Sequence, residues 1–158
     1  MRHILYIDMD NVIVDFRSGI SRVEPSLRAE YEGRLDEVPG IFGLMDPLEG
    51  AIESVVALQE KFDTYVLSTA PWANPSAWSD KVDWIHRHFG REESSPLYKR
   101  LILSHHKNLN VGAYLIDDRT ANGADRFAGK HIHFGQEPWP NWRVITERTL
   151  SHQRDFIR

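Results

Sequence analysis

Short apolar runs that end in acids or hydroxyls alternate along this chain with stretches whose apolar residues recur at helical spacing. Ile4-Leu5-Tyr6-Ile7 stops at Asp8, and Tyr65-Val66-Leu67 stops at Ser68-Thr69. Leu101-Ile102-Leu103 stops at Ser104, and Ala113-Tyr114-Leu115-Ile116 at Asp117-Asp118. His131-Ile132-His133-Phe134 is a weaker fifth run. Runs this short and uniformly apolar predict parallel strands covered on both faces, because a half-solvated strand would alternate with polar residues. Between them, Pro47 to Phe62 carries Leu48, Ile52, Val55, Val56 and Leu58 near helical spacing. Ser79 to Phe89 carries Val82, Trp84, Ile85 and Phe89 ahead of a capping Gly90. A short helix is expected over 120–128 and a last one from Asn141 through Trp142, Ile145 and Leu150. Strand and helix in alternation predict the α/β class, with a doubly wound parallel sheet.

Residues 17–46 break the alternation. They hold a polar stretch from Ser26 to Leu35 with helical character, then a Pro39-Gly40 turn. They are expected to rise above the sheet as a small helical cap inserted after the first strand. The chain has no internal repeat and no low-complexity stretch.

Length and composition narrow the class. At 158 residues the chain is expected to form one domain over 1–158. Nineteen Lys and Arg against 23 Asp and Glu give a formal charge of −4, which argues against a partner that is a nucleic acid polymer but leaves a nucleotide open as a small ligand. There is no cysteine, so disulfides, cysteine-ligated zinc, iron–sulfur clusters and thiol catalysis are excluded. No apolar run approaches the roughly 18–20 residues of a membrane span. The first residues reach an acid at Asp8, too early for a secretory signal core. The expected location is cytoplasmic, with no membrane partner.

Open parallel sheets bind ligands at the carboxyl ends of their strands. Four polar clusters fall there: Asp8-Met9-Asp10, Ser68-Thr69-Ala70-Pro71, Lys107 shortly after the third run, and Asp117-Asp118. Several carboxylates at one edge raise each other's pKa unless a cation compensates. Mg²⁺ suits such a set, because it prefers oxygen ligands and binds through a few carboxylates plus substrate phosphate. The Thr69 hydroxyl and the Lys107 ammonium suit phosphate oxygens. One aspartate can serve as nucleophile and a second, two residues on, as acid and base. Taken singly, each cluster also fits a turn, a helix cap or a solvated side chain; their order along the chain is what points to phosphoryl chemistry.

These residues carry a resemblance. Asp8-Met9-Asp10-Asn11-Val12-Ile13-Val14-Asp15-Phe16 resembles motif I of the haloacid dehalogenase (HAD) superfamily, and within it the 5′(3′)-deoxyribonucleotidases, which read Asp-Met-Asp-Gly-Val-Leu-Ala-Asp-Phe. Pro47-Leu48-Glu49-Gly50-Ala51 is similar to the family's Pro-Leu-Pro-Gly-Ala. Ser68-Thr69-Ala70-Pro71 resembles motif II, and Trp84 to Gly90 the family's Trp-Val-x-x-x-Phe-Gly helix end. Lys107 matches the motif III lysine, and Leu115-Ile116-Asp117-Asp118-Arg119 matches motif IV.

The resemblance implies a HAD-like Rossmannoid fold and a Mg²⁺-dependent phosphomonoesterase acting on a small phosphorylated substrate, a nucleotide in the first instance. By resemblance, Asp8 is the nucleophile that becomes an aspartyl phosphate, and Asp10 is the acid and base. Mg²⁺ is held by the Asp8 carboxylate, the Asp10 backbone carbonyl and Asp118. Asp117 orders the metal's surroundings or Lys107, while Thr69, the Ala70 amide and Lys107 take the phosphoryl oxygens. Phe16, Phe42 and Trp72 are the substrate-pocket candidates. Three features depart from the family pattern. Asn11 replaces a glycine, in a turn Asn can tolerate. Ala70 replaces a serine, and the insertion of about 30 residues is shorter than the cap of the animal enzymes.

Other readings compete. A HAD phosphatase acting on another ester, such as a sugar phosphate, uses the same core. Phospho-acceptor modules share the aspartates, Thr, Lys and Mg²⁺, but place the acceptor at the third strand, where this chain has Ser104. A non-catalytic relative would have little reason to keep every carboxylate. His105-His106 and His131-x-His133 raise a zinc site, but no third ligand is placed by sequence. The arginines from Arg143 to Arg158 are interleaved with acids, as on a solvated helix face.

Overall fold

The structure, a computed structural model, describes residues 1–151, so the arginines at 154 and 158 lie outside the described residues. In chain order the strands are β1 (Ile4–Ile7), β2 (Val14–Asp15), β3 (Asp46–Pro47), β4 (Asp63–Ser68), β5 (Leu101–Leu103), β6 (Tyr114–Asp117) and β7 (Lys130–His133). The α-helices are α1 (Phe16–Ile20), α2 (Pro25–Glu30), α3 (Ala51–Lys61), α4 (Ser76–Phe89) and α5 (Trp142–Ser151). Five strands make one parallel sheet in the order β5-β4-β1-β6-β7. All five expected strands are present. The chain winds outward from β1 through β4 to β5, then returns to β6 on the other side of β1. The winding direction therefore reverses beside β1, which makes its carboxyl end, with that of β6, the topological switch point where such sheets bind ligands.

Side-chain alternation along the strands builds two unequal cores. Leu5, Ile7, Val66, Ile116 and Ile132 join one large cluster with Val55 and Leu58 of α3, Trp84 and Ile85 of α4, and Trp142 and Ile145 of α5. The opposite face gathers a smaller cluster, in which Tyr6, Leu67 and Leu115 pack with Ala124 and Phe127 and with the partly buried Ile4, Tyr65 and Ile102. The helix expected over 120–128 is instead a single 3₁₀ turn at Ala124–Arg126. Gly123 precedes it at φ 81°, where a Cβ would collide with the Asn108 side chain. Close packing of this loop on the Lys107 turn thus replaces a helix.

The insertion is hinged on a two-stranded antiparallel ribbon in which Val14 pairs with Pro47 and Asp15 with Asp46. Inside it, α2 covers only part of the expected helical stretch, and 3₁₀ turns follow at Leu35–Glu37 and Ile41–Leu44. The insertion is fastened to α4 and the turn before it. Asn74 Nδ2 donates to the carbonyls of Asp36 (2.9 Å) and Val38 (3.1 Å), and the Gly40 amide donates to Ser76 Oγ (2.9 Å). Trp84 Nε1 donates to the Met45 carbonyl at 2.9 Å.

Helix α4 starts at Ser76, three residues earlier than the apolar pattern suggested, and α3 starts at Ala51 rather than Pro47. Val82 and Val56 are exposed, while the charged Lys81 is wholly buried. The apolar stripe of α4 therefore runs through Ala77, Lys81, Trp84 and Ile85. Among the described residues no helix is long and apolar enough to cross a membrane.

Candidate active site

Strand β1 delivers Asp8 to the centre of the carboxyl edge, where its amide donates to the Ile116 carbonyl at 2.9 Å and its side chain is buried. A compact turn follows. The Met9 carbonyl accepts the amides of Val12, Ile13 and Val14 at 2.9–3.1 Å. Asn11 takes φ 58°, a left-handed conformation that Asn tolerates better than most residues. The turn presents Asp10 to a cavity of about 720 Å³.

Two buried lysines face the acids. Lys107 Nζ lies 2.9 Å from Asp8 Oδ1 and 2.5 Å from Asp117 Oδ2. Burial opposes its charge, but Asp8 and Asp117 outweigh burial and hold the Lys107 pKa above the ordinary value. Lys81 Nζ donates to Asp10 Oδ2 (2.8 Å), to Ser68 Oγ (2.8 Å) and to the Thr69 carbonyl (3.0 Å). Burial, and secondarily the Asp8 charge, raises the pKa of Asp10 against the pull of Lys81.

One carboxylate oxygen from each of Asp8, Asp117 and Asp118 lies within 4.8 Å of the others. Both Asp117 oxygens are engaged: Oδ2 accepts from Lys107, and Oδ1 accepts the Arg119 amide at 3.0 Å. Asp118 Oδ1 is buried with no hydrogen-bond partner among the described residues, and the pKa of Asp118 is raised to about 6 by burial and then by Asp8 and Asp117. A buried, unpartnered carboxylate oxygen facing two more carboxylates is the donor arrangement that a hard cation satisfies. Behind it, His131 Nε2–H donates to the Asp117 carbonyl (3.1 Å) and His133 Nε2–H to the Asp118 carbonyl (2.8 Å). The two rings stack on one face of β7, as their spacing predicts. Each is committed to a backbone carbonyl.

The remaining candidates are distributed around the cavity. Thr69 follows β4, and its hydroxyl donates to the Ser104 carbonyl at 2.8 Å; Ala70 is buried next to it. Phe16 and Phe42 line the cavity and meet edge to face at 5.9 Å between centroids. Phe42 is only 3% exposed, so it is a packing residue with little surface left for a ligand. Trp72 is 84% exposed at the cavity rim, edge-on to Trp78 and His105. Arg119, Asn122 and His105 also line the cavity; the first two carried no role in the sequence reading, and His105 entered it only as a zinc candidate.

Lys81 was missed as well. Its signal was present: a lysine at i+4 from Ala77 and i−3 from Trp84 sits inside the apolar stripe of an amphipathic helix. A lysine on that stripe needs a buried anion, and here the anion is Asp10.

Known proteins resemble this chain in sequence and in fold. A sequence profile of the family described as 5′ nucleotidase, deoxy (pyrimidine), cytosolic type C protein matches residues 21–155. The chain is 57% identical over 151 residues to a protein of Vibrio phage KVP40 named as a candidate 5′(3′)-deoxyribonucleotidase, covering 95% of this chain and 86% of that one. It is 28% identical over 180 residues to the cytosolic-type 5′(3′)-deoxyribonucleotidase of Homo sapiens, covering 96% and 82%. In fold it resembles a magnesium-bound HAD hydrolase of Bacillus subtilis, with TM-score 0.59, 13% identity and coverage of 88% and 91%. It also resembles a haloacid dehalogenase-like hydrolase of Xanthomonas campestris, with TM-score 0.54, 12% identity and coverage of 97% and 98%.

Proposed function

Since the chain belongs to the 5′(3′)-deoxyribonucleotidase family of HAD-type phosphoric monoester hydrolases, we propose that it hydrolyses small nucleotides through Asp8 and Asp10. The observation that carries this reading is the pairing of each carboxylate with its own buried lysine at the switch point of the sheet. Lys107 serves Asp8 and Lys81 serves Asp10.

The Asp8 carboxylate attacks phosphorus, and the bond from phosphorus to the ester oxygen breaks. Asp10, whose raised pKa favours its protonated form, gives its proton to the departing oxygen. Asp10 then takes a proton from water as that water's oxygen attacks the aspartyl phosphate. Inorganic phosphate leaves and the Asp8 carboxylate is regenerated. Lys107 stays beside Asp8 throughout and offsets charge on the phosphoryl oxygens. The Ala70 amide and Thr69 bind those oxygens, with the Thr69 hydroxyl exchanging its bond to Ser104 for one to phosphate.

Mg²⁺ is the cation that this oxygen-only set suits, held by the Asp8 carboxylate, the Asp10 backbone carbonyl and Asp118 Oδ1. Bound there, it supplies charge neutralisation for the transferring phosphoryl group. Asp117 orients Lys107 instead of binding the ion. Trp72, with its open surface, is the aromatic that suits a nucleobase, while Phe16 and Phe42 form the inner wall.

The test is hydrolysis of thymidine 5′-monophosphate, 2-deoxyribose 5-phosphate and p-nitrophenyl phosphate with Mg²⁺, by the parent and by Asp8→Asn. The parent should favour the nucleotide, and Asp8→Asn should lose about 10⁴-fold or more in kcat. Equal rates for parent and variant would sink the mechanism. A preference for the sugar phosphate would sink the nucleotide assignment.

A further inference from the structure

Lys81 is wholly buried, yet it lies 71 residues along the chain from the carboxylate it binds. Its ammonium has three hydrogen-bond directions. All three are used: Asp10 Oδ2, Ser68 Oγ and the carbonyl of Thr69. The Phe42 ring from the insertion covers the same ammonium, with its centroid 4.6 Å from Nζ. One side chain therefore touches the proposed acid, the last residue of β4, the start of the phosphate-binding turn and the cap.

A lone ammonium at such depth is costly, and core packing would be served as well by Leu or Met. What the charge adds is geometry. It draws one Asp10 oxygen onto a fixed point and leaves Oδ1 without a partner among the described residues. It also holds the Thr69 carbonyl inward, and the same planar peptide group carries the Ala70 amide on its opposite side. Anchoring both to one nitrogen fixes the distance between the proton donor and the phosphoryl cradle.

We infer that Lys81 is a positioning residue, which holds Asp10 and the Thr69-Ala70 turn in mutual register under the Phe42 ring. This rests on the role proposed above for Asp10. A misplaced acid harms esters whose alcohol needs a proton to leave far more than it harms p-nitrophenyl phosphate, whose phenolate leaves without one. A merely structural loss lowers both alike.

The experiment compares kcat/KM for thymidine 5′-monophosphate and p-nitrophenyl phosphate, with Mg²⁺, in the parent and in Lys81→Met. The nucleotide value should fall about 100-fold, as expected for a catalytic group displaced by an ångström or so, and the aryl value by less than about 10-fold. Because the chain has no cysteine, Lys81→Cys alkylated with bromoethylamine while unfolded, then refolded, rebuilds the ammonium at this position alone. It should recover the nucleotide value to within about fivefold of a parent treated in the same way. Equal losses on both esters, or no recovery, would overturn the inference.

Should Lys81→Met fail to fold, Ser68→Ala removes one anchor and should shift the ratio of the two kcat/KM values in the same direction. An unchanged ratio there counts against the inference. A crystal structure of the folded Lys81→Met or Ser68→Ala variant is independent of activity. The Asp10 carboxylate and Thr69 carbonyl should move apart, and their retention in parental positions overturns the inference even if the parent proves to hydrolyse neither ester. An inactive parent would instead defeat the nucleotidase reading itself.

Discussion

His133 donates its Nε2–H to the backbone carbonyl of Asp118 at 2.8 Å, tying the sheet strand β7 to the loop that carries a proposed metal ligand. The bond fixes the ring tautomer and the peptide that directs the Asp118 carboxylate. Outer contacts of this kind are worth about 10- to 100-fold in metal affinity. His133→Ala should raise the Mg²⁺ concentration for half-maximal hydrolysis by about 10-fold, the lower end because the bond goes to the peptide and not to the carboxylate. The check is a Mg²⁺ titration at saturating substrate. An unchanged midpoint would remove His133 from the metal's support.

The raised pKa of Asp118 makes the metal-free protein respond to pH in an unusual direction. Its folded-state value of about 6 lies above that of an unfolded aspartate, about 4. Between those values the folded state holds a proton that the unfolded chain has released, so this group's contribution to stability falls as pH rises. A cation reverses the preference by favouring the ionised form. Unfolding in urea should show Mg²⁺ stabilising the protein more at pH 7 than at pH 5. Asp118→Asn should flatten the metal-free pH slope over that window.

Lys107 neutralises two buried carboxylates, and its loss should be felt in folding as well as in rate. Lys107→Met leaves Asp8 and Asp117 facing each other without their cation. Removing one partner of a buried pair costs about 3–5 kcal/mol. Urea unfolding of the metal-free variant should show a loss of that order. Adding Asp117→Asn should recover part of it, because one uncompensated charge disappears. No recovery in the double variant would indicate that packing, and not charge, accounts for the loss.

Trp72 offers a test of substrate recognition separate from the chemistry. Stacking of a base on an aromatic ring is worth about 1–3 kcal/mol. Trp72→Ala should raise KM for thymidine 5′-monophosphate by about 10-fold or more while leaving KM for 2-deoxyribose 5-phosphate within about twofold. Because the side chain is 84% exposed, stability should hardly change. Parallel shifts for both substrates would place the base elsewhere.

Much of the fold and the motif order can be read along the chain because the relevant signals are local. An apolar run ending in Asp8 or in Asp117-Asp118 is both a buried strand and a polar carboxyl end, and a parallel sheet gathers such ends at one edge. Helix patterns were less secure. Val82 and Val56 fit the apolar spacing yet are exposed, while Lys81 breaks the pattern and is buried. The helix expected over 120–128 is replaced by a 3₁₀ turn because the loop must close over Asn108.

By itself the sequence determined which residue types reach the reacting edge, and in what order, because strand periodicity and turn chemistry act over a few residues. Only the tertiary structure decided how those groups are partnered. Lys81 reaches Asp10 across 71 residues, and Asn74 holds the cap through carbonyls 36 and 38 residues away. Asp117 spends both oxygens on Lys107 and Arg119, while Asp118 keeps one buried and open. Which buried charge finds which partner is settled by long-range packing in a medium too apolar to leave ions unpaired, and no local pattern along the chain encodes that match.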